Sequence, residues 1–149
     1  MYDSILLATN GGVASEDAES HAIDLAASTG ATLHVLYVVD EAVSTAYSGD
    51  EYVDGAEGPE HGLEEHGREA LDSVRERAAE AGVEVVDAMR YGGPAREVVD
   101  YARQEGVGLV VLGTQRRSDE YRSLLGSVTD RVLRLADRPT TVVKTEVQE

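Results

Sequence analysis

Short apolar runs alternate five times with helical hydrophobic patterns along the 149 residues, and few folds accept that order. The runs are "SILLAT" (4–9), "TLHVLYVV" (32–39), "VEVVDAMRY" (83–91), "VGLVVLGT" (107–114) and "TTVVKTEV" (140–147). Between them apolar residues recur at helical spacing: Ala18, Ala22, Leu25 and Ala26; then Leu63, Ala70, Leu71, Val74 and Ala78. The later stripes are Val98, Val99 and Ala102 after Pro94, and Leu125, Val128, Val132 and Leu135. Strand alternating with helix predicts a single α/β domain over 1–149, a parallel sheet with helices on both faces and right-handed crossovers. The 83–91 run partly alternates, which suits an edge strand, and the wholly apolar 107–114 run suits a central one. The Gly- and acid-rich tract 44–62 has no period and reads as a mobile loop.

In such a sheet ligands sit outside the C-terminal strand ends, where the winding reverses. Four segments fall there: "TNGG" (9–12), "VVDE" (38–41), "RYGG" (90–93) and "GTQRRSDEYRSLLGS" (113–127). The last is laid out as an anion-binding loop. Gly113 ends a strand and would let the chain turn. Gly126 and Ser127 would then open a helix whose free N–H groups and positive dipole end favour an anion. The chain has no Gly-Lys-Ser/Thr, so this is no Walker A loop, and no G-x-G-x-x-G follows the first strand.

Charge narrows the partners. Twenty-nine acids against thirteen bases give a formal net charge of −16, and twelve of the thirteen bases are arginine. Concentrated salt screens such repulsion, so an acidic, nearly lysine-free surface fits a salt-rich cytoplasm. Binding to nucleic acid, which needs cationic surface, is disfavoured. Residues 114–145 nevertheless carry seven bases against four acids, a locally positive segment that suits an anionic ligand or pairs with the acidic remainder. "MYDSILLAT" has an acid and too short an apolar run for a signal peptide, and no stretch approaches transmembrane length. A soluble cytoplasmic protein without membrane contact is expected. There is no cysteine, hence no disulfide or thiolate metal site.

The spacing G-x2-G-x9-G-(S/T) after the fourth strand resembles the universal stress protein family. "ILLATNGG", "GGPAREVVDYA" and "GLVVLGT…LLGSVTDRVLRLADRPTTVV" extend that resemblance over nearly the whole chain. It implies a Rossmann-like fold of the adenine nucleotide alpha hydrolase type with strand order 3-2-1-4-5. It also implies homodimers joined through the fifth strand, here Thr140–Thr145, and in one branch of the family ATP at the C-terminal strand ends. Gly113, Gly126 and Ser127 match the motif, followed by Val128. Thr9 matches as well, and Val39 falls where a backbone group would meet the adenine edge. Two positions depart. Asn10 stands where the ATP-binding branch has an acid, keeping a hydrogen-bonding group for a ribose hydroxyl but no charge. Arg116 stands where the motif has its second glycine. If that glycine supplied positive φ, arginine costs roughly 1–2 kcal/mol; if it made room for phosphate, the side chain must swing away. Alternatively its guanidinium, and that of Arg117, grips phosphate bidentately, or both are solvated surface residues over an empty site.

The expected function is therefore a stress-response binding module holding ATP or AMP, with magnesium as its companion, rather than an enzyme. A nucleotide-free dimer whose surface is its function, and a slow ATPase using Asp119 or Glu120 as base, are the alternatives. The acidic composition adds a halophilic archaeal source to the expectation. His21 reads as surface and His34 as packed. His61 and His66, five residues apart, lack the helical spacing of metal ligands. The tyrosines read as core and loop anchors, with Tyr47 and Tyr52 placed to cover a base.

Overall fold

The computed structural model describes residues 2–40, 59–117 and 127–147. Five strands form one sheet in the order β3-β2-β1-β4-β5, every neighbouring pair parallel. They are β1 (Ser4–Ala8), β2 (Thr32–Asp40), β3 (Val85–Gly92), β4 (Leu109–Arg117) and β5 (Thr140–Val147). The described helices are α1 (Val13–Thr29), α2 (Pro59–Glu80), α3 (Pro94–Glu105) and α4 (Ser127–Leu135). The expected α/β architecture and its strand order are the observed ones. Among the described residues no helix is long and apolar enough to cross a membrane.

Ile5, Leu6 and Leu7 are all 0% exposed, which requires cover on both faces of the sheet. Ile5 and Leu7 pack with Ala18 and Ala22 of α1 and Val74 of α2. Leu6, pointing the other way, packs with Val98 and Tyr101 of α3 and Val132 of α4. A strand buried on both faces reads as a continuous apolar run, as the sequence had it. β3 lies at the sheet edge and leaves Val86 and Tyr91 exposed. β4 is an inner strand, but β1 holds the centre.

Three local expectations change. The second helix starts at Pro59, so the last residues of the tract read as loop are helical, while 41–58 lie outside the described residues. In α4 only the middle of the apolar stripe is buried: Val132 joins the α3 cluster, whereas Val128 and Leu135 are exposed. Leu125 lies outside the described residues. Most consequentially, β4 does not end at Thr114. Its last pair with β1 is Leu7 with Val111, but its pairing with β5 continues to Arg117 with Val147. The two strands thus run on as a ribbon beyond the body of the sheet.

Under α3, His34 is buried with Nδ1 sharing a 2.7 Å hydrogen bond with the Tyr101 hydroxyl, and Arg90 stacks on the other ring at 5.0 Å. Burial holds the His34 pKa below its ordinary 6.5, against a small opposing pull from Glu105. The unfolded chain then takes up this proton before the folded one does, so stability is present above 6.5 and is lost as pH falls towards the folded value. Glu19, whose folded pKa is raised, acts with the opposite sign. Thermal midpoints of the wild type and His34→Gln, which keeps a polar partner for Tyr101, separate the two: the variant is expected to lose less stability on acidification below 6.5. An equal or steeper loss would contradict this origin.

Candidate functional site

A cleft of about 280 Å³ opens at the C-terminal ends of β1, β2 and β4, where the sheet winding reverses. Its walls are mostly apolar: Ala8, Leu36, Val38 and Leu112 from the strands, Pro94 and Val98 from α3. Polar groups enter at the rim from Thr9, Asn10 and Ser15, from Asp40, and from Thr129 at the start of α4. Among the described lining residues none is a cation. The anion-favouring feature is the first turn of α4, beginning at Ser127, whose amide N–H groups have no partner within the helix. Thr129 Oγ1 ties that turn to the strand by donating to the Gly113 carbonyl at 3.2 Å.

The loop between β1 and α1 has its own internal scaffold. The Thr9 hydroxyl, buried, donates to Glu19 Oε2 at 2.6 Å and accepts from the Gly11 amide at 3.0 Å. Asn10 Oδ1 accepts from the Gly12 amide at 2.8 Å and from Ser15 Oγ at 2.9 Å, an Asx-type turn that leads into α1. Glu19 is a buried carboxylate. Burial raises its pKa, while the Thr9 hydrogen bond and the Arg77 guanidinium, 3.0 Å away, pull it back down. With Glu16 and Asp17 exposed in the same helix, an acid at position 10 would add a further like charge, and asparagine supplies the same acceptor without it.

The structure therefore brings part of the expected constellation together. Thr9, Asn10, Gly113 and Val128 line the cleft, though the Thr9 hydroxyl and Asn10 Oδ1 are engaged in loop bonds. Val39 is fully buried, packed towards α1 and α2, so only its backbone can face a ligand between the lining residues Val38 and Asp40. Gly113 does not turn the chain: it sits in β4 opposite Val143, without positive φ. Arg116 and Arg117 are strand residues in register with Glu146 and Val147, and neither has positive φ. The backbone cost considered for Arg116 does not arise, because pairing with β5 holds it extended. Ser127 opens α4 and is exposed. Gly126, Asp119, Glu120, Tyr47 and Tyr52 lie outside the described residues.

Several contributors were not singled out from sequence. Ser15 and Glu19 continue the inward stripe of Ala18, Ala22 and Ala26 at helical spacing, so two polar residues on an apolar face were the available signal. Thr129 and Tyr37 carry no such mark. His66 lies 56 residues from the backbone carbonyl it meets, that of Asn10 at 2.8 Å, and no local pattern announces it. Of the segment's arginines, Arg134 pairs with Asp130 and Arg138 with Asp137, both partners lying inside the segment itself rather than in the acidic remainder of the chain.

The model of the universal stress protein family matches residues 1–144. The chain is 36% identical over 153 aligned residues to universal stress protein MJ0531 of Methanocaldococcus jannaschii, covering 100% of this chain and 86% of that one. It is 34% identical over 153 residues to universal stress protein YxiE of Bacillus subtilis, covering 97% and 100%. Among solved structures, that of MJ0577 from M. jannaschii superposes with a TM-score of 0.76 at 26% identity, covering 97% of this chain and 96% of the other. At 21% and 18% identity the fold is also shared, with TM-scores of 0.67, by a universal stress protein in complex with cAMP and one from Archaeoglobus fulgidus in complex with dAMP; these cover 97% and 96% of this chain and 98% of each of the others. Relatives from archaea and bacteria alike give no support to the halophilic archaeal source expected from composition.

Proposed function

The chain belongs to the universal stress protein family, and we propose that it holds an adenine nucleotide, ATP or AMP, in the cleft at the ends of β1, β2 and β4. The observation that carries this reading is the pairing of an apolar cleft with the first turn of α4 at one rim, whose amide N–H groups the helix itself leaves unbonded. Leu36, Val38, Leu112 and Val98 suit the flat faces of a base, while α4 suits a phosphate. At about 280 Å³ the cleft matches the small end of ligand pockets, roughly 300–1,000 Å³, so it takes the nucleoside and leaves the phosphates outside towards α4. Two distant members of the same fold bind cAMP and dAMP. Asn10 is then a loop residue first, presenting its remaining amide hydrogens to the ribose.

Magnesium, if it accompanies the phosphates, has little protein to bind. Among the described residues no three potential ligands gather, and Asp40 is the one acid lining the cleft, so the phosphates and water would hold the ion. The reading is of a binding module that acts as a homodimer through the outer edge of β5, Thr140–Thr145, with the bound state seen by a partner.

Arg116 takes a productive part in this reading. Arg116 lies on the stretch of β4 that runs on from Gly113, which lines the cleft. Calorimetric titration of ATP and AMP into the wild type and Arg116→Gly, in concentrated salt to screen the −16 charge, tests it. Both nucleotides are expected to bind the wild type saturably. The variant is expected to bind ATP about tenfold more weakly, the scale of one lost charge-assisted hydrogen bond, with a smaller loss for AMP. Tighter binding by the glycine variant would mean that the arginine obstructs the phosphates. No binding by the wild type, and no nucleotide released when it is heat-denatured, would overturn the nucleotide reading itself.

A further inference from the structure

The loop after β1 is a wall with two sides. Thr9 and Asn10 line the nucleotide cleft, while Gly11 and Gly12 line a second cavity, a polar groove of about 420 Å³ between α1 and α2. On the groove side the loop is held by two side chains from helices. Glu19 of α1 accepts the Thr9 hydroxyl hydrogen at 2.6 Å, and His66 of α2 meets the Asn10 carbonyl at 2.8 Å. We propose that Glu19 and His66 are positioning residues for the cleft: they clamp residues 9–12, so that the packing of α1 against α2 sets how tightly the nucleotide is held. This rests on the nucleotide reading above and adds to it a control from behind the site.

The chemistry of each contact fixes its direction. A hydroxyl has one hydrogen. Thr9 gives its hydrogen to Glu19, which leaves the oxygen lone pairs for the Gly11 amide at 3.0 Å. Losing the carboxylate frees that hydroxyl to rotate and releases the amide. A carbonyl only accepts, so His66 must carry its proton on Nε2 to donate to Asn10. The ring is fixed by an edge-on contact with Tyr37 at 5.9 Å between centroids. Its approach also depends on Gly11: a Cβ there would stand 2.8 Å from Nε2 and 3.0 Å from Ala70 Cβ, and the residue's φ of +75 already excludes most side chains. Arg77 completes the link, since it anchors Glu19 to α2 at 3.0 Å. Both holds on the loop thus run to one helix.

Hydrogen–deuterium exchange of the nucleotide-free protein and ATP titration are to be measured together on the wild type, His66→Ala, His66→Gln and Glu19→Ala. Gly11 and Gly12 report the loop, because their amides bond to Thr9 and Asn10. Ile5–Leu7 of β1 report whether each variant is folded. The expected result is exchange at Gly11 and Gly12 about tenfold faster in both alanine variants, with β1 still protected. ATP affinity should fall at least threefold in those two, and His66→Gln, whose amide can donate to the same carbonyl, should restore both. Unchanged loop exchange, or faster exchange with unchanged affinity, overturns the proposal. So does equal loss in His66→Gln and His66→Ala. If the wild type binds no nucleotide while loop exchange in the variants responds as expected, the clamp on residues 9–12 stands and the nucleotide reading falls.

Discussion

One methyl group added at residue 67 is expected to lower the thermal midpoint, by up to about 10 °C, while the same addition at residue 62 raises it. Both glycines lie in α2, where glycine is less favourable than alanine by roughly 0.5–1 kcal/mol. At Gly62 nothing lies within 4 Å of a built Cβ, so Gly62→Ala keeps the whole propensity gain. At Gly67 the helix backbone rests on the sheet: a Cβ would stand 2.5 and 2.7 Å from two Tyr37 ring carbons and 2.8 Å from the Met89 methyl. The Tyr37 ring is buried and cannot swing away, so the helix must shift, and overpacking of this kind costs about 1–3 kcal/mol. Calorimetric melting of the two variants checks the pair of signs. Stabilisation by Gly67→Ala would show that α2 does not approach β2 this closely.

The second large effect concerns the ligand. Ala8 is the last residue of β1 and lines the cleft. Ala8→Leu puts three more carbons into a space of about 280 Å³, and ATP affinity is expected to fall by more than about tenfold. Ala8 also packs, partly buried, against the α3 cluster, so the thermal midpoint of the variant is measured beside its affinity and is expected to fall by less than a core substitution would cost. Ser73→Leu is the control, since Ser73 lines the polar groove between α1 and α2 and touches none of the clamp's hydrogen bonds. Its affinity should match the wild type. A loss in Ser73→Leu without one in Ala8→Leu would place the nucleotide in the groove instead.

What the sequence made legible followed from local periodicity. Strands buried on both faces, such as Ile5–Leu7, and the wetter edge strand Val85–Gly92 leave patterns within a few residues, and their order then follows from the family resemblance. The end of β4 is not legible in the sequence for the opposite reason. Gln115, Arg116 and Arg117 have no strand-like apolar pattern, and they are extended because Thr145, Glu146 and Val147 pair with them from thirty residues on. The roles of Asn10 and Thr9 were half legible: their place at a strand end was plain, but their engagement by Ser15, Gly12 and Glu19 is a matter of geometry. His66, read only as a poor metal ligand, reaches Asn10 across two elements. Non-local contacts of this kind leave no trace in spacing.

An adenine nucleotide seated in the cleft at the ends of β1, β2 and β4 is open to direct measurement. Amide chemical shifts of isotope-labelled protein, followed during ATP titration in concentrated salt, measure this. Saturable shifts are predicted at Thr9, Val38, Val39, Asp40, Gly113, Val128 and Thr129, the residues around the cleft and the first turn of α4. Shifts confined to Glu69, Ser73 and Arg77 in the α1–α2 groove, or none that saturate, would contradict it.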